Sequence, residues 1–371
     1  MSLILAQGAD HTDPAKLKQI ILKMNADRQN AHIVTDTVLN IGRSIIDKYG
    51  VTPPKPLLAR LFNQSYVAEE KYDGYSYLND GGRFFSKRLS TAKGNEGKPV
   101  EKTGHLPVLA TTLRTAYNMC GCDLHGELYM LNGISDSVST IMGCNEDEAV
   151  RREAQAWETN GADGVMHYML IDIRKFNNRS VVNEPYYVRR ALLEHVYTCF
   201  IKPYDHYNLI RLAEILEGDP RYEFTRIVKR GGEGIIIKRT DAQYIPDKKP
   251  ANNWIKGKKK ITLDVVITGF NDGTGKNKEL FGSFEFGLYI NGKLTPCGNC
   301  SSGLNDATRQ LVASNPDKYI GHVMEITAIQ ESVKSFRNAV FLRLRDDKGA
   351  EECTPLNIRP SYSLIEGFDE P

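Results

Sequence analysis

Tyr66-Val67-Ala68-Glu69-Glu70-Lys71-Tyr72-Asp73-Gly74 carries an apolar-acidic run into a lysine, a spacer, an aspartate and a glycine. Alone, a K-x-D-G string is common. A lysine is a nucleophile only when its amine is unprotonated, so it needs surroundings that lower its pKa. The rest of the chain has to supply them, and four further blocks follow in order.

Leu124-His125-Gly126-Glu127-Leu128 sets a glycine before an acid inside an apolar strand, a pattern that admits a ligand close to the backbone beside a projecting carboxylate. Gly231-Gly232-Glu233-Gly234-Ile235-Ile236-Ile237-Lys238 reads as a glycine turn, an acid at a strand mouth and a buried β-branched strand. A carboxylate placed so can hold Mg²⁺ in a phosphate site. In Trp254-Ile255-Lys256-Gly257-Lys258, the two lysines share one face of a strand. Paired ammonium groups suit a triphosphate and would depress a neighbouring lysine pKa. Leu342-Arg343-Leu344-Arg345-Asp346-Asp347-Lys348 ends a strand with cations that suit pyrophosphate. Each block also has an ordinary structural reading: a salt-bridged glutamate, a glycine turn, a basic linker, a solvated hairpin end. Their ordered conjunction suits nucleotidyl transfer from a nucleoside triphosphate.

The 371 residues suggest two or three domains. Apolar content is 41%, charged content 25% and net charge +2, which fits a soluble globular protein without announcing a polyanion partner. No apolar run approaches the roughly 18 residues of a membrane span, and the start of the chain lacks the features of a signal peptide. A cytoplasmic location follows as an expectation. Seven cysteines, an odd number, suggest reduced thiols; a zinc site joining Cys120/Cys122 to Cys297/Cys300 is the lesser alternative.

Residues 13–50 read as two helices, with Leu17, Ile20, Ile21 and Met24 on one face and Val38, Ile41, Ile45 and Ile46 on the next. Thr52–Pro56 reads as a stiff connector. Strands are expected at 75–78, 84–86, 124–130, 165–173 and 234–239, and helices at 145–160, 185–200, 209–217 and 221–229. Beyond residue 261, about five strands with one helix at 305–314 suit a small barrel of the OB type, and an Ig-like or SH3-like barrel fits the pattern almost as well. Domains are therefore expected at 1–55 (helical extension), 56–260 (α+β), 261–360 (all-β) and 361–371 (tail).

The five blocks resemble the motifs of the covalent nucleotidyltransferases, most closely the ATP-dependent DNA ligases of small phage and bacterial type. Lys71-Tyr-Asp-Gly is similar to motif I, Gly126-Glu127-Leu128 to motif III, Glu233–Lys238 to motif IV, Trp254–Lys258 to motif V and Arg345–Lys348 to motif VI. Ser335–Phe341, with Arg337, is also similar to the DNA-ligase barrel. The likeness covers roughly residues 55–350. It implies an α+β nucleotidyltransferase (ATP-grasp-like ligase) domain followed by an OB-fold barrel, ATP as nucleotide and Mg²⁺, with Mn²⁺ as a substitute. It implies a monomer acting on nicked duplex DNA, in repair, replication or recombination, in the cytoplasm of a bacterium or phage-infected host, with no membrane partner.

The reaction so implied has three steps: AMP joins Lys71, passes to a nick 5′-phosphate, and leaves when the 3′-OH attacks. By carry-over, Glu69 and Lys71 lie against the adenylate, and Asp73 orients the ribose or the reactive centre. Glu127 contacts ribose and metal, and Glu233 serves the metal. Lys238, Lys256 and Lys258 hold phosphates, and Arg345 and Lys348 act in lysine adenylylation. Two departures stand out. Ser76 occupies the position of the family's motif I arginine, with Arg83 a candidate substitute. In Phe85-Ser86-Lys87-Arg88, Arg88 is preferred over Lys87 as the match to an F-S-R block. The adenine-stacking position falls on Ile171, with Tyr168 the nearby aromatic. An RNA ligase, a capping-type guanylyltransferase and a non-enzymatic OB-fold nucleic-acid-binding protein are the competing readings.

Overall fold

The computed structural model describes residues 14–31, 33–90, 96–131, 135–245, 253–278, 280–332 and 334–361; the side chains of Arg88 and Arg337 are outside that description. The chain divides into two compact units, one reaching Gly257 and the other beginning at Lys258.

The first unit opens with α1 (Pro14–Arg28), α2 (Asp36–Tyr49) and α3 (Lys55–Asn63). Leu17, Ile20, Ile21 and Met24 of α1 are buried, as their spacing predicts. Thr35 caps α2 by accepting from Val38 N, and Gly50 closes it at φ 69°, a left-handed value that suits glycine. Sequence reasoning misses α3. Its prolines, Pro54 and Pro56, sit at the cap and in the first turn, where a missing N–H costs nothing, so they start a helix rather than bar one.

One sheet joins β1 (Tyr66–Lys71), β9 (Gly234–Arg239) and β10 (Trp254–Lys258) in the order β1-β9-β10. A larger sheet runs β4 (Pro99–Glu101), β3 (Arg83–Leu89), β2 (Tyr75–Asp80), β5 (Asp123–Tyr129), β6 (His167–Phe176) and β7 (Arg179–Ser180). Helices α4 (Pro107–Cys120), α5 (Ser135–Met142), α6 (Glu146–Asn160) and α7 (Tyr186–Val196) accompany it, and α8 (Pro220–Lys229) precedes β9. The main core packs Tyr77, Phe84, Leu113, Leu124, Leu128, Tyr168, Leu170 and Leu192.

The helix expected at 209–217 is absent. Ile210–Leu212 forms β8, parallel to β6, and Glu69 bridges to Ile215. Ala213 N donates to Leu170 O and Leu216 N to Ala68 O, so the segment satisfies its backbone by tying the two sheets together. That tertiary pairing overrides a helical local pattern.

In the second unit, β11 (Lys260–Asp272) pairs with β12 (Phe281–Ile290) and β14 (Val323–Ser332). β12 pairs with β13 (Lys293–Ser302), β13 runs parallel to β15 (Ser335–Leu344), and β15 pairs with β14. The circuit β11-β12-β13-β15-β14-β11 closes as an OB barrel, with α9 (Asp306–Ala313) between β13 and β14 and a short β16 (Arg359–Ser361) on β11. Asn291 and Gly292, at φ 52° and 75°, make the hairpin turn. Phe284, Phe286 and Leu288 point inward, as their alternation predicts.

Candidate active site

The antiparallel register of β1 and β9 sets Lys71 opposite Gly234, so Glu233 stands at the end of the Lys71 strand. Lys71 Nζ donates to the Glu233 carboxylate and, at 3.3 Å, to Tyr72 O; both charged side chains are 12% exposed. Burial is the largest influence on Lys71 and depresses its pKa, but Glu233, Glu127 and Asp73 together outweigh it, and the net shift is upward. This corrects the sequence expectation of a lysine depressed by Lys256 and Lys258. The strand register surrounds it with carboxylates, which hold it as an ammonium.

Gly74 lies flat against β5: a Cβ there would collide with Leu128 O and come within 2.9 Å of Glu127 Cγ. Only glycine lets the chain turn from Lys71 into β2 at this distance. Gly126 has a different task from the one expected. A Cβ on it would meet Met169 O and approach the Tyr168 ring to 2.6 Å, so it serves sheet packing rather than ligand approach.

Register builds a row of side chains across the larger sheet. Ser76 faces Glu127, and Glu127 faces Met169. Tyr77 pairs with Ser86, and Lys87 follows it on β3. The charge of Lys87 acts on His125, so Lys87 belongs to this neighbourhood. Arg83 sits beyond the Gly81-Gly82 turn, opposite Asp80, half-exposed over the Phe85 ring. It is remote from Ser76.

Ser76 Oγ lies 2.8 Å from His125 Nε2, and Tyr244 OH lies 3.2 Å from His125 Nδ1. Trp254 stacks on the imidazole, with centroids 5.8 Å apart and planes 7° apart. Burial, followed by the positive charges of Lys87, Lys238, Arg174 and Lys256, holds the His125 pKa well below its ordinary value. The ring is neutral.

Beneath the site, Lys238 and Glu69 form a buried ion pair, Nζ to Oε2 at 2.6 Å, with exposures of 0% and 1%. Lys238 also donates to Ile171 O at 3.0 Å and faces the Trp254 and Tyr186 rings at 4.6 and 4.9 Å. Tyr186 OH donates to Glu69, and Arg190 Nη1 lies 3.4 Å from the same carboxylate. Lys238 is a member of the floor rather than a cation presented to solvent, as a phosphate-holding role would require. Ile171 is a bulged residue of β6, unpaired between Leu170↔Gly126 and Asp172↔His125, and it is buried. Tyr168 is fully buried, donates to Tyr77 O at 2.9 Å and packs edge-on against Phe84. It faces the core. Sequence reasoning missed the apolar patch of Tyr72, Tyr129, Met169 and Ala213 beside Lys71, because it is assembled from four separate segments.

Lys256 lies on β10 in the first unit, while Lys258 begins the second. Within the second unit, Asp264 is 1% exposed and gathers the strand-end cations. It accepts from Arg345 Nη1 at 3.1 Å and from Lys348 Nζ at 2.7 Å, and Arg359 Nη2 lies at 3.6 Å. Arg345 also pairs with Asp347 at 2.7 Å.

Among the described residues no group of three or more His, Cys, Asp or Glu side chains is arranged to hold a metal ion. The carboxylates of Glu127 and Glu233 both act on the Lys71 ammonium. Two hard oxygen donors suit Mg²⁺, which keeps waters and substrate phosphates as its other ligands.

A lysine-centred α+β domain joined in sequence to an OB barrel is the class these features define. The family described as "ATP dependent DNA ligase domain" matches residues 51–258, more than half of the chain, and the chain belongs to that family. A DNA ligase of Methanocorpusculum labreanum is 26% identical over 326 residues, 80% of this chain and 55% of that protein. A DNA ligase of Archaeoglobus fulgidus is 30% identical over 216 residues, 51% of this chain and 38% of that one. The chain thus spans about half or less of the length of these curated relatives. The solved structure called Pmar-Lig_PreS3 has a TM-score of 0.53 at 20% identity, covering 76% of this chain and 63% of its own. A Lig E DNA ligase, described under "DNA binding with a minimal scaffold", has a TM-score of 0.52 at 17% identity, covering 76% and 93%. These two likenesses bear on the fold. No helix among the described residues is long and apolar enough to cross a membrane.

Proposed function

We propose that the chain is an ATP-dependent DNA ligase that seals 5′-phosphate/3′-OH nicks in duplex DNA through a lysyl-AMP intermediate on Lys71. The supporting observation is the contact of Lys71 Nζ with Glu233 at the end of paired strands, with Glu127 acting on the same ammonium. In the free protein Lys71 is protonated. The Glu233 carboxylate is placed to accept that proton as Nζ bonds the α-phosphorus of ATP and the bond to pyrophosphate breaks. AMP then passes to the nick 5′-phosphate, and the 3′-OH displaces it.

Glu127 and Glu233 would hold Mg²⁺, which when bound supplies neutralisation of phosphoryl charge. Asp73 adds to the carboxylate field on Lys71. Glu69 and Lys238 support the site from below, and Lys256 and Lys87 supply cations for phosphate. Arg88 keeps the part that the family resemblance gives it, and Lys87 is added because its charge acts on His125. Ile171 and Met169 offer apolar cover for the base. Lys258, Arg345 and Lys348 are assigned to the triphosphate end during lysine adenylylation. The unit that ends at Gly257 is assigned as the adenylation domain and the unit that begins at Lys258 as the OB domain.

The test is incubation with α-labelled ATP or GTP, then a chase with nicked DNA or RNA. Label should pass from ATP to protein, and the chase should release it as DNA is joined. Labelling by GTP alone, or joining of nicked RNA only, would refute the proposal.

A further inference from the structure

We propose, on the basis of that reading, that His125 is a positioning residue which, clamped by Tyr244, turns the Ser76 hydroxyl into a hydrogen-bond donor toward a phosphoryl oxygen bound beside Lys71. Ser76 pairs with Glu127 across β2 and β5, two residues beyond the glycine that hugs β5, and the charge of Lys87 acts on the adjoining His125. A serine hydroxyl is a short, rotating group that both donates and accepts, so its direction must be set by a partner. His125 Nε2, at 2.8 Å, is that partner.

The direction of the relay follows from chemistry. A neutral imidazole has one N–H donor and one acceptor nitrogen. The Tyr244 phenol at 3.2 Å from Nδ1 is a better donor than acceptor, and imidazole nitrogen is a strong acceptor. Tyr244 O–H therefore donates to Nδ1. The remaining proton is on Nε2 and is donated to Ser76 Oγ. With its oxygen already accepting from the ring, Ser76 directs its own O–H to an acceptor outside the relay. Trp254, stacked parallel to the imidazole, and Tyr244, edge-on at 5.7 Å, fix the ring plane. The relay is built of neutral groups, and its output is one oriented donor among phosphate-binding cations. A non-bridging phosphoryl oxygen, of the ATP α-phosphate or of a nick 5′-phosphate, is the acceptor such a donor fits.

The experiment uses the full chain and three single-turnover assays: Lys71 adenylylation with ATP, AMP transfer to a nick 5′-phosphate, and closure of a pre-adenylated nick. Ser76→Ala and His125→Leu should each slow one of the first two steps by roughly 10- to 100-fold, the loss of one hydrogen bond to a charged oxygen. A loss in adenylylation assigns the acceptor to ATP, and a loss in transfer alone assigns it to DNA. In the Ser76→Ala background neither His125→Leu nor Tyr244→Phe should slow that step further. His125→Gln, which keeps an amide N–H donor, should recover part of the rate. Additive effects of Ser76 and His125 would overturn the proposal, because they would mean His125 does not act through the serine. So would a Ser76→Ala protein within twofold of wild type in both steps. If His125→Leu does not fold, the Ser76→Ala and Tyr244→Phe pair decides on the same criterion. Wild-type protein that takes no label from ATP would sink the ligase reading and this inference with it. Normal wild-type labelling with an inert Ser76 would sink the relay alone.

Discussion

Replacing Glu69 by glutamine keeps the shape of the site floor and removes its charge. In the native protein the Lys238 ammonium is held by Glu69 at 2.6 Å, by Ile171 O at 3.0 Å and by the faces of Trp254 and Tyr186. After the change it keeps the carbonyl and the rings, while Tyr186 and Arg190 lose a carboxylate. A buried charge left without its partner costs about 3–5 kcal/mol, and that loss is expected at pH 7. Burial already holds Lys238 below its ordinary pKa in spite of Glu69, so its removal lowers the value further. A depressed lysine binds its proton more weakly folded than unfolded, so between the two pKa values stability rises with pH. The deficit of Glu69→Gln should therefore shrink as pH is raised from about 7 toward the ordinary lysine range near 10. Lys238→Met should cost less, since Glu69 keeps Arg190 and Tyr186. Urea unfolding followed by Trp254 fluorescence measures both variants at two pH values. A Glu69→Gln loss under about 1 kcal/mol, or a deficit that grows with pH, would refute the reasoning.

Gly74→Ala should destabilise the first unit by about 2 kcal/mol or more and abolish AMP labelling, because its Cβ would overlap Leu128 O; thermal melts and labelling check this. Glu233→Gln removes the foremost of the carboxylates that raise the Lys71 pKa, so the neutral amine fraction at pH 8 should rise. Peptide-resolved modification by an amine-acylating reagent reads this directly, and unchanged Lys71 reactivity would count against the assignment. Asp264→Asn should loosen Arg345 and Lys348 and slow lysine adenylylation on the order of tenfold while sparing closure of a pre-adenylated nick. Equal slowing of both would mean that the Asp264 cluster is structural only.

Legibility in the sequence followed the range of the interactions. The alternation of Phe284, Phe286 and Leu288 and the Asn291-Gly292 turn are local, and they announced the barrel strands. The Lys71–Glu233 contact depends on a pairing 162 residues apart; the sequence offered Glu233 as a metal-site carboxylate and not as the partner of Lys71. The segment 209–217 misled because its backbone partners, Leu170 and Ala68, are supplied by other strands. Lys238 was read as a phosphate cation because burial beneath Trp254 and Tyr186 is a property of the assembled sheets. The Ser76 oddity was visible, but its partner His125 became visible only through the β2–β5 pairing.

The central claim is that Lys71 is the residue that carries AMP. The direct measurement is mass spectrometry of the intact protein after exposure to ATP and Mg²⁺, with peptide mapping of any adduct. The account predicts one acid-labile AMP on the peptide containing Lys71, none on Lys71→Ala, and release of the adduct when nicked DNA is added. An AMP adduct that persists in Lys71→Ala, or that maps to another lysine in the wild type, would contradict it.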